Sequence, residues 1–149
     1  MLNFALFGAG RIGKMHAQNI QAFAQSNLKY VFDVYAPAAE AVANATGAKV
    51  VSSVDEALAD PDVDAVLIAT STDTHVDLII KAAKAGKAIL CEKPIDLDTA
   101  TVNACLEEIK DPRKELIAVP TYRFLLENEK QKKYVNEQFF LKRFPFFED

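Results

Sequence analysis

Gly8-Ala9-Gly10-Arg11-Ile12-Gly13 has the spacing G-x-G-x-x-G and holds three of the chain's five glycines. A run of strand character, Leu2 to Phe7, leads into it, and a segment of helical period follows. In that setting Gly8 permits a tight turn, Gly10 lets backbone come close to a diphosphate, and Gly13 allows close helix-to-strand contact. Ala9, Arg11 and Ile12 complete the turn, and the N-terminus of the helix supplies partial positive charge. The chemistry expected is capture of the pyrophosphate of a dinucleotide. The plainer alternative is a tight turn with no ligand.

Asp33 ends the second strand-like run, twenty residues after Gly13. A carboxylate there can accept hydrogen bonds from the 2′-hydroxyl of an adenosine ribose and would repel a 2′-phosphate. Val34 and Tyr35 follow it rather than Lys or Arg, so NAD is expected in preference to NADP. A strand-end aspartate can also simply cap a turn. Thr70-Ser71-Thr72 and Cys91-Glu92-Lys93-Pro94 end the fourth and fifth strand-like runs, at carboxyl edges where ligands of open α/β sheets sit. An ammonium at Lys93, partly desolvated beside a nicotinamide, would hold a substrate oxygen. On spacing alone it is equally a solvated surface lysine. His75 opens a helix at the same edge and is a candidate to lie near the cofactor, whereas His16 reads as packed or hydrogen-bonded. The two histidines and Cys91 and Cys105 lack metal-ligand spacing, so no metal site is expected.

The elements that must position these residues alternate. Strand-length runs at Leu2 to Phe7, Leu28 to Asp33, Lys49 to Val51, Asp64 to Thr70, Ala88 to Cys91 and Glu115 to Val119 are separated by helical segments. Those segments run from Arg11 to about Ser26, from Pro37 to a stop at Gly47, from Val54 to Ala59, from about Thr74 to a stop at Gly86, and onward from a cap at Asp98. On the first helix Ile12, Met15, Ile20 and Phe23 are expected to face the sheet. The unbroken apolar run Ala65-Val66-Leu67-Ile68-Ala69 suits a central strand covered on both faces. The fold class is therefore α/β: a Rossmann doubly wound parallel sheet of about six strands with helices on both faces.

The chain's 149 residues fit one such domain, with 50% hydrophobic and 26% charged residues. A net charge of −4 gives no electrostatic case for nucleic acid. No apolar stretch approaches the roughly 18 residues a membrane span needs, and no signal peptide is visible at the start, so a cytoplasmic location without membrane attachment is expected. Two cysteines are too few for a disulfide framework and read as reduced, half-buried thiols.

Three groups of residues carry a resemblance: the glycine turn with His16, Asp64 to Thr70 with His75, and Ala85-Gly86-Lys87 leading to Cys91-Glu92-Lys93-Pro94. Together they resemble the glucose-fructose oxidoreductase, inositol dehydrogenase and rhizopine-catabolism (Gfo/Idh/MocA) family, over residues 1 to about 124, with the inositol dehydrogenases nearest. The resemblance implies pyrophosphate at Gly8 to Gly13, adenosine ribose on Asp33, and nicotinamide near Thr70, Ser71, Glu92 and Lys93. It further implies hydride exchange with a polyol or sugar oriented by Lys93, beside a Pro94 that is often cis. Relatives usually carry proline where Ser71 stands, so an altered turn is expected there.

The resemblance also implies a second, histidine-bearing domain. Val119-Pro120-Thr121-Tyr122-Arg123-Phe124 keeps only Arg123 and Phe124 of the segment that leads into it, and no histidine follows His75. Residues 1–124 are therefore read as the dinucleotide-binding domain, and 125–149 as a Phe-rich tail that is a remnant or replacement of the missing domain. Phe124 to Phe140, rich in Glu, Lys, Gln and Asn, could form a helix. The chain is expected to be truncated and weakly active or inactive alone. The alternative is a non-catalytic module that binds dinucleotide or docks on a partner, including a second copy, through the tail.

Overall fold

A computed structural model of the chain describes residues 1–109 and 116–119. The chain divides into a unit Met1–Ala118 and a second, Val119–Asp149; the described residues belong to the first, save Val119. The expected tail at 125–149 and the helix over Phe124 to Phe140 lie outside them.

Strands and helices alternate as β1 (Leu2–Phe7), α1 (Arg11–Ala22), β2 (Ser26–Phe32), α2 (Ala36–Thr46), β3 (Lys49–Val50), α3 (Val54–Ala59), β4 (Ala65–Ile68), α4 (His75–Lys84), β5 (Ala88–Glu92), α5 (Thr99–Glu108) and β6 (Leu116–Val119). A 3₁₀ turn at Thr72–Thr74 leads into α4. The six strands form one sheet in the order β3-β2-β1-β4-β5-β6, and the pairs β3/β2, β2/β1, β1/β4 and β4/β5 all run parallel. The order reverses between β1 and β4, which opens a crevice at their carboxyl ends.

Alternation along the strands sorts the core into two layers. Ala5, Phe7, Val66, Ile68, Ile89 and Cys91 pack with α3, α4 and α5 in one apolar cluster, centred on Ile79 and Ala82. Burying a side chain the size of Ile79 stabilises the fold by about 2–3 kcal/mol. Phe4 and Leu6 are buried but lie outside that cluster, as do Ala17 and Ile20 of α1 and Ala39 and Val42 of α2. The two helical layers therefore cover opposite faces. In β2 the register pairs Phe4 with Leu28 but Ala5 with Tyr30, leaving Lys29 as an extra residue. This bulge puts Leu28 and Val31, three positions apart, in the same layer, while Tyr30 and Phe32 join the other.

Two sequence expectations fail here. Met15 is 47% exposed, and the buried stripe of α1 is Gly13, Ala17 and Ile20: small residues let the helix sit close to the sheet, and Met15 lies almost opposite them on the helical wheel. Cys91 and Cys105 are fully buried rather than half-buried, and burial pushes the Cys91 thiol up to about 12. In addition, α1 stops at Ala22, short of Ser26. No glycine ends it; the Ser26 hydroxyl does, lying 2.6 Å from Ile20 O and 3.1 Å from Phe23 O.

The bulged Lys29 reaches Asp60 Oδ2 at 2.8 Å and Asp62 Oδ2 at 3.1 Å, and Tyr30 donates its hydroxyl to Asp60 at 2.8 Å. The Lys29 ammonium first, then the Asp62 N–H and the Tyr30 hydroxyl, hold the Asp60 carboxyl down at about 2. A carboxyl whose folded pKa lies below its unfolded value, about 3.9, stabilises the fold above that value and loses the contribution as pH falls through the folded one. The wild-type chain should therefore melt above Asp60→Ala near pH 6, with the gap narrowing between about pH 4 and pH 2. A gap that stays constant in melts across this window would rule out the ionised contact as its source.

Candidate active site

The three glycines of the first turn are there for three different reasons. Gly8 has φ +95, and a Cβ on it would run into the Ala69 carbonyl and come within 2.7 Å of Thr70 N, so both conformation and space exclude a side chain. A Cβ on Gly13 would strike the Gly8 carbonyl, which is how α1 starts so close to β1. Gly10 has an ordinary φ of −68, and a Cβ on it would meet nothing within 4 Å. Packing within the described chain does not require glycine at position 10. The space above it is open, and a bulky ligand brought against the backbone would need it.

Gly10 is also the N-cap of α1. It offers no side-chain cap to the helix, and the first turn holds no acidic residue. The N-terminus of α1 thus keeps its N–H groups and partial positive charge for an anion from outside, with exposed Arg11 beside it. Ala9 is buried and Ile12 half-buried. Asp33, just past β2, accepts a hydrogen bond from Ala9 N on Oδ2 at 2.6 Å and from Tyr35 N on Oδ1 at 2.8 Å. It does cap a turn, and it ties the tip of β2 to the glycine turn. Each carboxylate oxygen has two lone pairs, so both retain capacity for a ribose hydroxyl. Val34 and Tyr35 beside it are exposed.

On the other side of the crevice, Ala69 N donates to Phe7 O at 2.7 Å, holding the β4 loop to β1. Thr74 Oγ1 lies 2.7 Å from Thr70 Oγ1 and 2.8 Å from Ser71 O. Ser71 has φ −72 and ψ 145, values a proline also adopts. His75 is 1% exposed, with Nδ1 at 2.9 Å from Pro94 O and Nε2 at 3.1 Å from Thr70 O. It is turned inward onto two loops rather than outward to a ligand. Glu92 receives His16 Nε2 at 2.6 Å and lies 3.3 Å from Lys93 N. That pair joins residues 76 apart, and nothing in the local pattern announces it. The Lys93–Pro94 bond is cis. Lys93 itself is exposed, so the described residues do not supply the desolvation expected of it. Among the described residues no group of three His, Cys, Asp or Glu is placed to hold a metal, and no helix is long and apolar enough to cross a membrane.

A strand order of β3-β2-β1-β4-β5-β6, a glycine turn at its point of reversal and a carboxylate beside that turn define a dinucleotide-binding domain of the Rossmann type. More narrowly, the chain belongs to the Gfo/Idh/MocA oxidoreductase family, whose NAD-binding Rossmann-fold model matches residues 2–119. It is 49% identical over 123 residues to the inositol 2-dehydrogenase of Rhizobium meliloti (strain 1021), covering 83% of this chain and 37% of that protein. A myo-inositol dehydrogenase from Corynebacterium glutamicum ATCC 13032 superposes with a TM-score of 0.72 at 47% identity, over 78% of this chain and 35% of that one. GenD2 from gentamicin A biosynthesis, solved in complex with NAD, superposes with a TM-score of 0.75 at 31% identity, over 78% and 34%. The chain thus spans little more than a third of the length of the curated relative.

The separate demands on the glycines can be tested by stability alone. Gly8→Ala and Gly13→Ala should each destabilise the fold by about 1–3 kcal/mol or more, through backbone overlap and, at Gly8, a disfavoured φ. Gly10→Ala should cost no more than about 1 kcal/mol, the scale of an N-cap change. Thermal or urea unfolding of the three variants reads this directly, and equal losses at all three positions would contradict the geometry.

Proposed function

We propose that this chain is the NAD-binding part of an inositol 2-dehydrogenase-like oxidoreductase that exchanges a hydride between a polyol or sugar and NAD. One observation carries the reading: open space over Gly10 at an uncapped helix N-terminus, with the Asp33 carboxylate fixed beside it. Gly8, Ala9, Gly10, Arg11, Ile12 and Gly13 hold the pyrophosphate, and the remaining lone pairs of Asp33 take the adenosine ribose. Thr70, Ser71, Glu92 and Lys93 form the nicotinamide side, with His75 serving it through the loops it grips. Held there, a nicotinamide would supply the hydride acceptor for a carbinol carbon, whose hydroxyl proton would pass to solvent as the carbonyl forms. Lys93 orients the oxygen on that carbon.

Asp33 also sets the preference for NAD over NADP, because a carboxylate at the ribose repels a 2′-phosphate. The 149-residue chain by itself binds dinucleotide and turns over polyol slowly. Both histidines of the described residues are taken up by Glu92, Pro94 and Thr70, and lack of acid–base assistance alone is worth roughly 10²- to 10⁴-fold. A non-catalytic dinucleotide-binding module is the second reading, favoured by the exposure of Lys93.

Calorimetric titration with NAD and NADP, paired with a polyol-oxidation assay, tests both readings. NAD should bind tighter than NADP by about tenfold or more, equivalent to about 1.4 kcal/mol, and Asp33→Asn should shrink that ratio. Gly10→Ala should weaken NAD by a similar factor while the fold persists. A wild-type chain that binds neither nucleotide would end the proposal, and brisk polyol oxidation would end the claim of slow turnover.

A further inference from the structure

The chain has two histidines, and each grips one neighbour of Lys93. From α1, His16 Nε2 reaches the Glu92 carboxylate at 2.6 Å; from α4, His75 Nδ1 reaches the Pro94 carbonyl at 2.9 Å. The helices α1 and α4 cover opposite faces of the sheet. We infer that His16 and His75 are positioning residues that brace the backbone of Lys93 from both faces of the sheet.

Among the described residues the loop between β5 and α5 has few other ties. Lys93 is exposed, and its own N–H lies 3.3 Å from Glu92 Oε2, a long contact within the loop. Asp96 accepts from Asp98 N inside the same loop, and Ile95 packs on the apolar cluster. Directional contacts to the body of the domain on either side of Lys93 come from the two imidazoles. They also differ in kind. The Glu92 carboxylate only accepts, so Nε2 donates at position 16; at position 75 both facing groups are carbonyl oxygens, and the brace places the donor on Nδ1, whose contact with Pro94 O at 2.9 Å is the shorter of the two. His75 Nε2 faces a second carbonyl, Thr70 O, at 3.1 Å. This ring therefore lies between the β4 loop and the β5 loop with its donor toward the β5 loop, and leaving the Pro94 carbonyl without that donor removes a tie on the segment that carries Lys93. The effect on function rests on the reading of Lys93 as facing nicotinamide; the brace itself does not.

Amide replacements separate bracing from mere packing, because the amide nitrogen of Gln falls near imidazole Nε2 and that of Asn near Nδ1. Hydrogen exchange of residues 92–97 in the full chain should therefore follow a crossed pattern. His16→Asn and His75→Gln should speed it at least tenfold, whereas His16→Gln and His75→Asn should stay within about threefold of wild type. Amides of β1 and β4 should not change in any of the four. Uniform acceleration in all four variants, or none, would overturn the brace. Should the position-75 variants not fold, the imidazole nitrogen spectrum of the wild type decides: a His75 Nδ1 without its proton would also overturn it. NADH and ADP-ribose then test the link to function. The loosened variants should lose about tenfold in NADH affinity with ADP-ribose unchanged, and equal losses would refute a role at the nicotinamide end. If the wild type binds neither ligand, the dinucleotide reading fails while the exchange pattern still decides the brace.

Discussion

Backbone meets backbone at Gly8. The turn leaves β1 at φ +95 with no room for a single methyl between it and the Ala69 carbonyl, while the Gly8 carbonyl in turn presses against Gly13. Because β1 is bonded to β2 on one side and β4 on the other, this crowded point fixes three things. It sets where α1 begins, how far the β4 loop stands from it, and where Ala9 N points to meet Asp33. A crevice with an exposed helix N-terminus is the consequence. Loosening any of these contacts by a methyl's width would move the cradle relative to the carboxylate beside it.

Most of the fold can be read from the sequence because its signals are local. The apolar run Ala65 to Ala69, the stops at Gly47 and Gly86, and the cap at Asp98 each act within a few residues, and the structure places Gly47 and Gly86 at positive φ and Asp98 on the N–H groups of Ala100 and Thr101. Where the sequence misleads, the reason is also local. Met15 satisfies the apolar period, yet the sheet selects the side of α1 with the smallest residues because backbone proximity at Gly13 decides the helix's rotation. The end of α1 escapes notice because a serine hydroxyl, rather than a glycine, receives its last carbonyls.

The site is legible only in part, for a different reason. Glycine spacing and a strand-end aspartate report on their own surroundings, so the proposed pyrophosphate and ribose positions follow from pattern. His16 and Glu92, or His75 and Pro94, come together only after the sheet has assembled, and no periodicity encodes pairs 76 and 19 residues apart. Sequence reasoning places His75 at the ligand edge and reads His16 as packed or hydrogen-bonded, but finds the partners of neither. The buried position of His75 is the sharper case. A helix-opening histidine beside a crevice invites a ligand-facing role, yet both ring nitrogens are turned onto backbone carbonyls.

Capping and recognition are often treated as rival explanations for an aspartate such as Asp33, but here they depend on each other. The amides of Ala9 and Tyr35 take one acceptor position on each carboxylate oxygen, which removes the side chain's rotational freedom before any ligand arrives. A carboxylate already immobilised loses little further entropy on accepting a ribose hydroxyl, so more of each new hydrogen bond is expressed as affinity. The same immobility keeps its charge at a fixed distance from a 2′-phosphate instead of letting it swing away. Turn-capping is thus the condition under which this one residue, in the role proposed for it, would discriminate between two nucleotides that differ in the substituent on a single oxygen.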